Sequence, residues 1–133
     1  SAMKNWLLAM FLISSPVWAG DEPKPPIADN PTVEVRGTIT RVQLAMGQGM
    51  PFLEVNTSKG VVKLYLGSMR YLVQENFTPK AGDLLEAKGY KMADSVVAIR
   101  VELPTTKKVL RLRDDNGWPL WMGGRRQGAE PRQ

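Results

Sequence analysis

Apolar and polar residues alternate with a period of two along most of this chain, and the places where the alternation slips define its elements. Val33, Val35 and Ile39 share one parity, whereas Val42 and Leu44 share the other. A strand that changes parity midway carries a bulge, and Gly37 permits a strong bend, so this run predicts one long, curved first strand. Residues 45–50, "AMGQGM", read as a loop. Leu53 and Val55 then point inward, with Phe52, Glu54 and Asn56 on the opposite face. Residues 57–60 turn the chain. Val62, Leu64 and Leu66 resume the inward face and leave Lys63 and Tyr65 outside. In "SMRYLVQENF" the period changes: Met69, Leu72, Val73 and Phe77 fall at helical spacing. Ser68 is the expected N-cap, and Pro79 ends the helix by Thr78. A fourth strand is expected over 84–90 with Leu85 and Ala87 inward. A fifth is expected over 95–103, with Val97, Ile99, Val101 and Leu103 inward and Arg100 and Glu102 outward.

Three strands, one short helix and two more strands, with the first strand long and bent, is the layout of a five-stranded Greek-key OB-fold barrel. An SH3-like barrel is the competing small-barrel reading. The apolar helix between the third and fourth strands favours the OB-fold, because that fold uses such a helix to plug one end. The expected class is therefore all-β with a little helix, plus an added C-terminal β-hairpin.

Residues 35–42 ("VRGTITRV"), 79–90 ("PKAGDLLEAKGY") and 95–103 ("SVVAIRVEL") carry a resemblance. They are similar to the bacterial periplasmic OB-fold proteins, small exported single-domain proteins. The resemblance covers about residues 33–103 and implies the fold, export and a non-enzymatic binding role, one often discussed for envelope stress or small cationic ligands. The chain departs from that family by adding residues 105–122 after the fifth strand.

The two ends read as segments outside the domain. Ser1 and Ala2 look like a cloning remnant ahead of a start at Met3. Lys4 followed by "WLLAMFLI" and "SSPVWA" has the layout of a secretory signal peptide, with Val17 and Ala19 at the −3 and −1 positions and cleavage expected after Ala19. The apolar run is too short for a membrane span, which needs about 20 residues. If the leader is retained, it is expected to pack as a helix against a protein surface, possibly that of another copy. Residues 20–32 hold four prolines and read as an extended linker, so the domain is expected over 33–122 with a disordered tail over 123–133. The chain has no Cys, and export without disulfides points to a periplasm. Removing Lys4 with the leader leaves 17 basic and 13 acidic residues from the original 18 and 13, net +4. That balance favours anionic partners weakly.

No Cys and no His exclude thiolate metal sites, Cys-x-x-Cys-His haem attachment and His-based triads. Glu54, Asp94 and Asp114 are the acids near loops, and nothing in the sequence brings them together as an acid/base pair. No catalytic residue, no metal and no cofactor are expected. Two regions remain as binding candidates. The first is the outward face of strands two and three, where OB-folds hold ligands, carrying Phe52, Lys63 and Tyr65. Glu54 on that face and export both argue against nucleic acid. The second is "RLRDDNGWPLW", residues 111–121. Leu110 and Leu112 alternate with Arg111 and Arg113, and Asn116-Gly117 signals a type I′ hairpin turn. This stretch reads first as a structural lid. Arg111, Arg113, Trp118 and Trp121 could instead grip an anion or a sugar ring, and Asp114 with Asp115 a hard cation. The sequence thus predicts a monomeric periplasmic binding module for a small ligand or envelope component. The alternative is an accessory subunit that docks another exported protein through the hairpin.

Overall fold

The computed structural model describes residues 23–122. The expected leader with its expected cleavage site, and the expected tail over 123–133, lie outside the described residues. The strands are β1 (Thr32–Gln43), β2 (Phe52–Thr57), β3 (Gly60–Tyr65), β4 (Leu84–Lys91), β5 (Val96–Leu103) and β6 (Lys108–Arg111). The helix α1 (Met69–Gln74) lies between β3 and β4. β1 pairs antiparallel with both β2 and β4, β4 pairs with β5, and a short parallel pairing of β3 with β5 closes the barrel. The result is an OB-fold-like five-stranded barrel, with β6 added antiparallel on the outer edge of β5.

Each element forms for a local reason. β1 is long enough to serve two partners, and its register slips by one residue at Thr40, between the pairs Ile39↔Val55 and Arg41↔Glu54. That bulge turns Ile39 and Val42 both inward, which the parity change requires. Gly37, expected to permit a bend, serves instead a close approach of two strands. A Cβ at Gly37 would lie 2.1 Å from the Asn56 carbonyl oxygen, so only glycine lets β2 approach β1 there. Ser68 caps α1 by accepting the Tyr71 N–H at 3.2 Å. Leu72 and Phe77 enter the core and Met69 packs against it, but Val73, expected inward, is 61% exposed. The helix is only six residues long and lays one narrow stripe on the barrel end, so its neighbouring position faces water.

β5 departs further from expectation. Val101 and Leu103 are buried as expected, but upstream Val96 and Ala98 are buried while Val97 and Ile99 are only partly so. The register with β4 slips between Lys88↔Arg100 and Gly89↔Ala98, leaving Ile99 as the extra residue. The freed Ile99 carbonyl accepts the N–H of Leu112 at 2.7 Å and of Arg113 at 3.2 Å. The second bulge therefore fastens the C-terminal extension, and Leu110 and Leu112 join the barrel core.

The extension turns over residues 114–117 with a Gly117 N–H to Asp114 carbonyl bond, and Asp114 N–H pairs with the Trp118 carbonyl. Positive φ occurs at Gly117 and not at Asn116, so the expected type I′ turn is replaced by a three-residue loop with a glycine bulge. The Asp114 carboxylate favours this form by accepting the Asn116 and Trp118 N–H groups. Arg113↔Pro119 is an isolated bridge, after which the return leg closes into a 3-10 turn over 120–122.

Residues 23–31, expected as part of an extended linker over 20–32, pack on the body. Pro26–Asp29 forms a 3-10 turn, Pro25 is buried, and the Trp118 indole N–H donates to the Pro23 carbonyl at 3.1 Å.

Candidate functional site

Phe52 and Tyr65 are cross-strand partners on the outward face of β2 and β3. Their ring centroids are 5.9 Å apart in an edge arrangement, a favourable aromatic geometry. Two residues along each strand, Glu54 and Lys63 form the next pair on the same face. The Lys63 ammonium sits 4.4 Å from the Phe52 centroid and 5.5 Å from that of Tyr65. The Arg41 guanidinium covers Phe52 from the β1 side at 5.4 Å and reaches Glu54 at 3.3 Å. The face is thus a pre-ordered set of two rings and two cations, with its single acid already paired to Arg41.

At the end of β3 this face runs into an apolar recess of about 690 Å³. Its walls are Tyr65 at the end of β3, Leu66, Gly67 and Ser68 just after it, Met50 from the loop before β2, Val97 from β5, Ile27 from the 3-10 turn, and Arg113 and Trp121 from the extension. Trp121 packs against Gly67, where a Cβ would come within 2.2 Å of its ring, and its centroid is 5.7 Å from that of Tyr71. Arg113 is held at the recess by a bond from Nη1 to the Gly117 carbonyl at 2.8 Å, and its guanidinium lies 5.9 Å from the Trp121 centroid. Its Nε is sealed from solvent with no acceptor among the described residues. Burial pushes the Arg113 pKa below the ordinary guanidinium value, and nearby Tyr90 works in the opposite direction. The two acids of the turn do not compensate it. Asp115 pairs with Arg111 at 3.7 Å, and Asp114 accepts backbone N–H groups. Among the described residues, no carboxylate lies within 4.0 Å of Arg113.

The residues singled out from sequence therefore divide. Phe52, Lys63 and Tyr65 share one face, and Tyr65 joins them to Arg113 and Trp121 across the recess. Arg111 and Trp118 lie apart from it. Arg111 is exposed beside Asp115, and its carbonyl accepts the Tyr71 hydroxyl at 2.8 Å. Trp118 is engaged by Pro23. Sequence reasoning missed Arg41, whose outward parity follows from the bulge at Thr40. It also missed Ile27, the one large apolar side chain in a proline-rich segment. Among the described residues no cluster of three acids forms that could hold a metal ion.

No family model and no curated protein matches this chain in sequence. Among solved structures, part of it is similar to a ZRD-deleted mutant of TiaS in complex with agmatine, at 20% identity and a TM-score of 0.46, covering 54% of this chain and 21% of that one. It is similarly like apo TiaS, described as a tRNA agmatidine synthetase, at 20% identity and TM-score 0.45, covering 54% and 18%. A tRNA fluorescent labeling enzyme gives 19% identity and TM-score 0.45, covering 54% and 17%. This chain spans about a fifth of the length of these proteins.

Proposed function

We propose that this chain is an exported, non-catalytic binding module of the bacterial envelope. Its ligand, a small molecule or an envelope component, lies on the β2–β3 face and in the recess continuous with it. The observation that carries this reading is the position of Tyr65. It belongs at once to the ring-and-cation face and to the recess wall, so one ligand can span both. The strand-two and strand-three face with its flanking loops is where OB-folds hold ligands. Concave apolar walls with one convergent charged group are the usual make-up of a small-molecule site. The leader pattern at residues 3–19 supports export, and the lack of Cys and His removes most nucleophile and metal chemistry.

The test is a titration of the protein with ions, glycans, peptides and organic acids, read by NMR at the Trp118 and Trp121 indole N–H signals. The expected result is a saturable shift at Trp121 for at least one class, weakened about tenfold or more by Tyr65→Ala, the loss that removing one good aromatic contact brings. A flat response at Trp121 across the whole panel would overturn the reading.

A further inference from the structure

Resting on that binding reading, we propose that the recess takes a small organic acid, its apolar body against Tyr65 and Trp121 and its carboxylate paired with Arg113. The charge in the recess is unbalanced. Arg113 is the one charged side chain among the recess walls, and Gly117 offers its guanidinium only a neutral carbonyl. Arg113 is half-buried with its Nε sealed from solvent, and partial desolvation penalises a charged form that no opposite charge compensates. Both acids nearest in sequence are committed elsewhere, Asp115 to Arg111 and Asp114 to the turn backbone. A bound carboxylate supplies the missing charge and matches the planar guanidinium fork.

The surroundings select further. Met50, Val97 and Ile27 give the recess apolar walls, so a bare anion such as acetate leaves most of that surface unused. Arg41 and Lys63 stand over Phe52 on the adjoining face, and Glu54 is already paired. Amines therefore meet repulsion from three cations on the way in. One fixed positive charge in an apolar cup suits a monoanion with a ring or short chain.

The experiment uses the full chain, ¹⁵N-labelled, titrated with 4-phenylbutyrate, with the neutral alcohol 4-phenylbutan-1-ol and with acetate. Shifts are followed at the Trp121 indole and the Tyr65 amide. The acid is expected to bind about tenfold or more tightly than the alcohol, the factor that about 1.4 kcal/mol of ion pairing supplies. Acetate is expected to give no saturable shift. Arg113→Gln should reduce the acid to the affinity of the alcohol. Where that variant does not fold, added salt on the unaltered protein serves instead, weakening the acid and sparing the alcohol. Equal affinities for acid and alcohol, or a salt-insensitive acid, overturn the acid class while the binding reading stands. Silence of both probes at Trp121 while another panel ligand shifts it has the same consequence. Silence of every ligand overturns both.

Discussion

Gly67 shows how one residue shapes the recess. Its φ is +142°, and the space a Cβ would take is filled by the Trp121 ring. Gly67→Ala must therefore strain the backbone and lift Trp121 off the floor at once. We expect a loss of about 1–3 kcal/mol in urea unfolding, the usual cost of overpacking a filled site. A red-shifted tryptophan emission should accompany it as the indole meets water. An unchanged urea midpoint with unchanged emission would show that Trp121 is not seated on Gly67. Trp121, and not Trp118, lines the recess. Trp118 gives its indole N–H to Pro23, and Trp121 packs its ring between Gly67 and Tyr71. Sequence parity separates these two tryptophans, but it carries no sign of which face either would meet.

Among the elements, the arm over residues 23–31 was the least legible in the sequence and now has the clearest structural job. Prolines lack an N–H and set no apolar period, so "PKPPIADNP" looks like a linker. In the fold, Pro25 is buried, Asn30 Nδ2 donates to the Lys91 carbonyl at 2.8 Å, and Ile27 walls the recess. Trimming the chain to begin at Thr32 should keep the β-rich circular dichroism but lower Tm by roughly 5–10 °C. That is the shift expected from losing one or two kcal/mol of hydrogen bonding and burial in a domain of this size. A Tm within a degree of the parent would make the arm a true tether. The barrel strands were far more legible, because Leu53, Val55, Leu64, Leu66, Leu85 and Ala87 follow the period of two and are all buried. The failure in β5 has a plain cause. In "SVVAIRVEL" both parities are apolar, Val96 and Ala98 on one and Val97 and Ile99 on the other, so no alternation can reveal a bulge. The Phe52, Lys63 and Tyr65 face was visible because fold class and parity together fix it. The recess was not, because it joins five segments distant in sequence.

For the molecule as a whole, two tyrosines stand where the barrel meets its extension, and this gives stability a distinctive pH dependence. The Tyr71 hydroxyl, on α1, donates to the Arg111 carbonyl on β6. The Tyr90 hydroxyl, on β4, lies against Gly117, 3.0 Å from where a Cβ would stand. Both phenols are held above the ordinary tyrosine pKa, chiefly by burial. Glu75 adds to this at Tyr71 against the pull of Arg111, and Asp114 and Asp115 add at Tyr90 against Arg113. With the folded pKa raised, the unfolded chain releases these protons first, near pH 10. Their contribution is fully present below that pH and is lost as pH rises through the folded values. No Cys or His ionises between about pH 5 and 9 to complicate the neutral range. Urea midpoints should therefore stay nearly level from pH 6 to 9 and fall above about pH 10. In the Tyr71→Phe/Tyr90→Phe double variant the alkaline fall should be shallower, although neutral stability is lower for want of the Arg111 bond. An alkaline limb as steep as that of the parent would place the sensitivity elsewhere. A limb that flattens only at Trp118 and Trp121, with the barrel signal unmoved, would mean that the extension detaches before the barrel opens. The recess would then be lost at a pH where the fold survives, because two of its walls, Arg113 and Trp121, belong to the extension.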